Sequence, residues 1–192
     1  MGRWEPGARG RLEVAALELV TENGFDRTTV AEIAARAGVT ERTFFRYFAD
    51  KREVLFSGGK ALEEFLVGQV AKAPDSAGPL DAIVGALQAA ASEIFAERHA
   101  FARQRQAAID SNTELQEREL LKLASLTRAL AAALRDRGIG EPSASLAAES
   151  GVAVFKTAFA RWVSEGNVKD LGQIISETLA ELRAAVNVGP GQ

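Results

Sequence analysis

The chain has 192 residues, of which 47% are hydrophobic and 26% charged, a composition ordinary for a globular protein. It holds no cysteine and one histidine, which excludes disulfides, thiolate nucleophiles, thiolate-bound metal clusters and multi-histidine metal sites within one chain. The net charge of −3 does not announce a nucleic-acid ligand, although residues 1–52 carry nine Lys/Arg against eight Asp/Glu and the remainder 14 against 18. No apolar run reaches the roughly 18–20 residues of a membrane span, and Met1 to Pro6 has no signal-type apolar stretch, so a cytoplasmic protein is expected.

In chain order, Leu12, Ala16, Leu19 and Val20 recur at helical spacing, and Gly24 supplies the stop. Thr29-Val30-Ala31-Glu32 fits a capping box, in which the hydroxyl accepts from the third helical amide and the carboxylate reaches back. Ile33, Ala34 and Ala37 form an apolar stripe that Gly38 ends after about two turns, since glycine takes the left-handed conformation a stop requires. Thr40 is a second cap, and Phe44 and Phe48 lie four apart on one face of the next helix. Two short helices across a tight glycine turn have the geometry of a helix-turn-helix. Beyond Asp50, helices are expected over 51–72, 79–97, 100–110, 112–137, 143–165 and 169–186. Loops fall at Ala73 to Pro79 and Gly138 to Ser143, and Asn187 to Gln192 reads as a frayed tail. No segment combines period-two alternation with β-branched enrichment, so the fold class expected is all-α.

The face of the second short helix that turns from the core carries Glu41, Arg42, Thr43, Arg46 and Tyr47. Arg42 and Arg46, four apart, repel by about 0.2–0.5 kcal/mol in an isolated helix. A polyanion removes that penalty, and arginine suits both guanine and phosphate; plain solvation is the alternative. Glu41 either complements the helix dipole or accepts from a cytosine amino group. Thr28 and Thr40 are caps beside helix N-termini that favour phosphates. Lys51 is either a phosphate contact or a surface lysine. Arg3, Arg9 and Arg11 are either a mobile basic arm or a solvated tail.

The stretch from Thr28 to Phe48, with its two threonine caps, Gly38 turn and Phe44, Phe45, Tyr47 and Phe48 aromatics, resembles the DNA-binding signature of the TetR (tetracycline-repressor-like) family. Lys51-Arg52-Glu53-Val54-Leu55 looks like the lysine-led start of that family's fourth helix, and the likeness covers roughly residues 9–56. The resemblance implies about nine helices: an N-terminal three-helix DNA-binding domain at 1–50 and a C-terminal ligand-binding and dimerisation domain at 51–192. It also implies a homodimer on a palindromic double-stranded DNA operator, released by a small-molecule effector, with no cofactor and no enzymatic activity. Arg42 and Thr43 then lead as base contacts with Glu41 beside them, while Thr28, Thr40, Arg46, Tyr47 and Lys51 hold phosphates. The chain departs from the pattern at Phe45, where family members commonly have tyrosine, and at Glu41-Arg42, which replaces a small or basic pair. A transcriptional activator, or a helical bundle that only binds small molecules, is the rival reading. Phe101 to Leu121 loosely resembles the C-terminal domain of mycofactocin-regulator-like members.

Ala147, Ser150, Gly151, Val154 and Ala158 form a small-residue face, and Leu171, Ile174, Ile175, Thr178, Leu179, Leu182 and Val186 an apolar stripe. The pattern suits a dimer interface and equally an intramolecular core. Candidate effector contacts are Phe65, Leu87, Ile94, Phe95, Phe101, Ile109, Leu123, Leu126, Phe155, Phe159 and Trp162. The polar run Arg103, Gln104, Arg105 and Gln106 either meets an acidic ligand or pairs with Glu93 or Glu97. Ser57-Gly58-Gly59 is expected inside a helix, where each glycine costs about 0.8–1 kcal/mol relative to alanine, either for close packing or as a soft point. His99, the single histidine, has no evident nucleophile nearby and reads as a surface or helix-end residue.

Overall fold

The computed structural model describes residues 7–187. Among them are nine α-helices and no strand: α1 (Ala8–Asn23), α2 (Val30–Arg36), α3 (Glu41–Tyr47), α4 (Gly59–Ala71), α5 (Pro79–Ala90), α6 (His99–Asp110), α7 (Thr113–Asp136), α8 (Ser143–Trp162) and α9 (Leu171–Val186). None of these is long and apolar enough to cross a membrane. The chain divides into two compact units, one made of the residues up to Gly59 with Phe101–Leu120, the other of Lys60–Ala100 with Leu121 onward. This differs from a simple cut at residue 50, because 51–59 and 101–120 pack with the N-terminal helices.

In the first unit local chemistry sets each helix end. Gly24 takes φ +81 and its amide bonds the Val20 carbonyl at 2.9 Å, stopping α1. The capping box of α2 is complete: Glu32 N donates to Thr29 Oγ1 at 3.2 Å and Thr29 N to Glu32 Oε2 at 2.8 Å. The Thr29 hydroxyl also donates to Glu32 Oε2 at 2.7 Å, and this bond, with the one from the Thr29 amide, holds the Glu32 carboxyl below its ordinary pKa. Gly38 at φ +67 turns the chain, and Thr40 Oγ1 accepts from Thr43 N at 3.2 Å to open α3. Leu12, Ala16, Ile33 and Phe44 are fully buried at the centre. Around them pack Phe25, Phe48, Leu55 and Phe56, and from the distant segment Ala108, Ile109 and Leu115. Ile109 is therefore part of this unit's core.

The helix expected over 51–72 is broken. Asp50 Oδ1 accepts from the amides of Arg52 (2.8 Å) and Glu53 (3.1 Å) and starts a 3-10 turn, Arg52–Phe56, that buries Val54, Leu55 and Phe56 together. Only from Gly59 does α4 begin. A Cβ at Gly58 or Gly59 meets nothing within 4 Å, so close packing does not explain these glycines.

In the second unit α8 packs most extensively on α9 and next on α5. Asp170 caps α9 by accepting from Gln173 N at 2.8 Å. Arg161 of α8 ties α9 through Thr178 Oγ1 (3.1 Å), Glu177 (3.2 Å) and Glu181 (3.3 Å). Gln88 of α5 donates to Gly172 O at 3.0 Å and Ser176 Oγ at 2.8 Å. Arg137 donates to the carbonyls of Val70, Ala73 and Pro74, closing the end of α4. The helix expected over 79–97 ends as a helix at Ala90 and continues as a π-helical turn, Ala91–Phe95, that seats Phe95 among Phe155, Phe159 and Trp162 at centroid distances of 5.7–6.2 Å.

Ala147, Gly151, Val154, Ala158, Leu171, Ile175 and Thr178 are buried within the single chain, and Leu179 and Leu182 are half-buried. The buried ones belong to the packing of α8 on α5 and α9, while Leu179 and Leu182 keep part of their apolar surface open. The outer face of α8 instead exposes Leu146, at 63%, with Ala153, Thr157 and Ala160 at helical spacing behind it.

Candidate functional site

Phe44 in the core fixes the rotation of α3, and helical geometry then decides what faces out. Thr40, Glu41, Arg42, Phe45, Arg46 and Tyr47 are exposed, and Thr43 is half-buried. Thr40 and Thr43 join their hydroxyls at 3.0 Å. Arg46 lies over the Tyr47 ring, 4.9 Å from its centroid, and donates to Tyr47 Oη at 3.2 Å. Arg42 has no hydrogen bond, ion pair or ring contact among the described residues, in contrast to Arg36, which is held bidentate by Glu22 at 3.0 and 2.9 Å. α3 therefore presents two guanidinium groups, a carboxylate and two aromatic side chains on one open surface.

Two residues expected at phosphates do other work. Thr28 is 1% exposed and its hydroxyl donates to Gly24 O at 2.9 Å. Lys51 Nζ donates to the carbonyls of Phe25 (2.8 Å) and Thr28 (2.9 Å) and sits 4.0 Å from the Phe25 ring centroid. Lys51 thus closes the α1–α2 turn, bonding the Thr28 carbonyl and sharing the Phe25 carbonyl with the Thr28 amide, which donates to it at 3.2 Å. The basic arm is corrected likewise. Arg9 and Arg11 belong to α1, where Arg9 bonds Glu13 (3.3 Å) and Ser57 O (2.8 Å) and Arg11 bonds Ala37 O (3.1 Å). Arg3 lies outside the described residues, as do 188–192 of the expected tail.

The effector candidates fall in both units. Leu87, Leu126, Phe155 and Trp162 are buried in the second unit, with Phe65, Phe95 and Phe159 half-buried there. Phe101, Arg103 and Gln106 belong to the first unit, where Gln106 donates to Asp110 (2.9 Å) and Glu119 (3.3 Å). Arg105 pairs with neither Glu93 nor Glu97. Its Nε donates to Leu55 O at 2.6 Å, its guanidinium lies 4.8 Å from the Phe56 ring centroid, and Glu119 stands 3.9 Å away. Burial pulls the Arg105 pKa below arginine's usual value, with Glu119 opposing.

Of these candidates, Phe95 and Trp162 line an open cleft of about 680 Å³ in the second unit, with Gln88, His99, Lys169 and Gln173 on its walls. That volume falls within the range of small-molecule sites. The His99 and Trp162 rings meet at a steep angle, centroids 4.9 Å apart, and His99 Nε2 bonds the Trp162 carbonyl at 2.9 Å, which makes Nε2 the donating nitrogen. Lys169 escaped sequence reasoning because the 163–170 loop has no periodicity to place it; the aromatic cluster itself was visible.

The geometry agrees with the comparisons. The model for bacterial regulatory proteins of the tetR family matches residues 14–57, and that for the MftR C-terminal domain matches 77–187. The chain is 40% identical over 81 residues to the HTH-type transcriptional regulator TcmR of Streptomyces glaucescens, a match spanning 42% of this chain and 36% of that relative. Its fold is similar to that of Thermus thermophilus FadR, a TetR-family transcriptional repressor in complex with lauroyl-CoA, at 23% identity and TM-score 0.53 over 96% of this chain and 100% of that one. It is also similar to Bacillus subtilis FadR in complex with stearoyl-CoA, at 22% identity and TM-score 0.58 over 90% and 96%. An all-helical chain with a helix-turn-helix framed by two threonine caps and matched at both ends, it belongs to the TetR family of transcriptional regulators.

Proposed function

We propose that two copies of this chain bind an approximately palindromic operator, placing their α3 helices in successive major grooves about 34–36 Å apart. The carrying observation is the open face of α3, where Arg42 is exposed and unpartnered while neighbouring arginines are engaged. On this reading Arg42, with Thr43 and Glu41, meets base edges, and Thr40, Arg46 and Tyr47 hold phosphates; Thr28 and Lys51 build the turn behind them. The dimer forms through the outer face of α8 around Leu146, Ala153, Thr157 and Ala160, whose small side chains let helices approach closely.

A small molecule in the second unit acts as effector, and the cleft lined by Phe95 and Trp162 supports that placement. It releases DNA by binding more tightly to the form whose α3 spacing does not fit the groove, since only differential affinity shifts such an equilibrium. Repression is the sign this arrangement favours.

The test is a gel shift with the full-length protein and duplexes from the region upstream of its own gene, with a salt titration. Sequence-selective binding that weakens steeply with salt is expected. Binding that is indifferent to sequence and salt overturns the reading. Lauroyl-CoA and stearoyl-CoA, carried by the two FadR structures, open the effector panel.

A further inference from the structure

We propose that Phe45 reads the 5-methyl group of one thymine in each operator half-site; this rests on α3 being the DNA-reading helix. Phe44 and Phe45 are adjacent yet opposite in fate. Phe44 is 0% exposed, whereas Phe45 is 54% exposed, the most exposed of the chain's ten phenylalanines. The Phe45 ring stands edge-on to Phe44, centroids 5.4 Å apart and planes at 82°, its one ring contact among the described residues. An apolar ring is thereby held outward on a surface whose other exposed side chains, among them Glu41, Arg42, Arg46 and Tyr47, all carry polar groups.

The ring has no donor or acceptor, so it satisfies neither a phosphate nor the polar edges of the bases. Among the groups displayed in the major groove, the thymine methyl alone is apolar. Burying that methyl against the ring removes both from water, which is the match this surface lacks when unbound. Position also bounds the base. Phe45 follows Arg42 by three residues on the same face, roughly 4.5 Å along the helix axis. Base pairs repeat about every 3.4 Å, so the thymine lies one or two steps from the base Arg42 reads.

The experiment uses the full-length protein and a duplex it selects from a randomised 30-base-pair pool. Each thymine of that duplex is replaced singly by deoxyuridine, which removes only the methyl. One thymine per half-site is expected to lose about fourfold in affinity on replacement, the value of one buried carbon. Phe45→Ala is expected to bind the thymine and uracil duplexes equally, and Phe45→Leu to keep part of the discrimination. If no thymine responds, or if Phe45→Ala discriminates as the native protein does, the proposal fails; packing of the ring on a sugar gives that second result. The uridine scan on the native protein needs no variant to fold. Should the pool yield no preferred duplex, the reading of α3 falls with it, a result distinct from a preferred duplex indifferent to its methyl groups.

Discussion

Gly151 of α8 lies so close to Ile83 of α5 that a Cβ on the glycine would stand 2.5 Å from Ile83 Cγ2. The absence of a side chain at this point is what lets the two helices meet. Gly151→Ala forces Ile83 or the helix to shift and is expected to cost about 1–3 kcal/mol in urea unfolding. The double change Gly151→Ala/Ile83→Leu, which takes the second γ carbon off Cβ, should recover part of the loss, while Ile83→Leu alone is destabilising. Equal losses in the single and double variants would show that the helices do not depend on this contact.

Lys51 and Arg42 separate two ways of losing DNA affinity. Arg42→Ala, at an exposed and unpartnered side chain, should cost about 1–3 kcal/mol in binding to a preferred duplex and leave thermal stability unchanged. Lys51→Ala removes charge-assisted bonds to two carbonyls and should lower stability by about 1–3 kcal/mol with an unaltered salt slope. A flattened salt slope for Lys51→Ala, read from gel shifts at several ionic strengths, would mark the lysine as a phosphate ligand after all.

Arg105 reaches from α6 to the Leu55 carbonyl in the 3-10 turn, within the unit that carries α3. Arg105→Met leaves that carbonyl without its donor and removes the guanidinium from Phe56; about 1–3 kcal/mol of stability should be lost. Hydrogen exchange should quicken at Arg52–Phe56 before it quickens in α2. Unchanged exchange there would mean that water replaces the arginine at no cost.

Glu32 makes α2 sensitive to acid. Its folded-state pKa lies below the ordinary 4.5, so the cap contributes stability above that value and loses it as pH falls through the lower folded-state pKa. The protection of the α2 amides, corrected for the intrinsic pH dependence of exchange, should fall as the pH drops below about 4.5. Glu32→Gln, which has no carboxylate to protonate, should flatten that dependence, and a dependence persisting in the variant would place its origin elsewhere.

Gly58 and Gly59 separate the 3-10 turn from α4, and open space surrounds both. Neither has positive φ, so alanine fits; the double alanine variant should gain about 0.4–1 kcal/mol per site through the unfolded chain. If the pair is a soft point between the units, effector-induced release of DNA should weaken in that variant. Unchanged DNA affinity and unchanged release together would remove the role.

The helix-turn-helix was legible in the sequence because its determinants are local. Thr29 and Glu32 meet over three residues, Thr40 and Thr43 over three, and Gly38 supplies a conformation few other residues adopt. Such pairs carry their geometry wherever the helix sits, and the spacing of Phe44 and Phe48 then sets which face is left for Arg42, Phe45 and Arg46. What an apolar stripe packs against is a different kind of information. Ala147, Gly151 and Ile175 read equally as interface or core, and only the approach of α5 made them core. Ile109 and Leu115 joined the N-terminal core from about sixty residues away, because burial rewards any apolar neighbour without naming it. Lys51 is the sharpest instance: its charge was visible in the sequence, but the carbonyls of Phe25 and Thr28 that claim it come from another part of the chain. Local hydrogen-bonding chemistry determined the reading head, and non-local packing decided which charged and apolar groups were left free to use it.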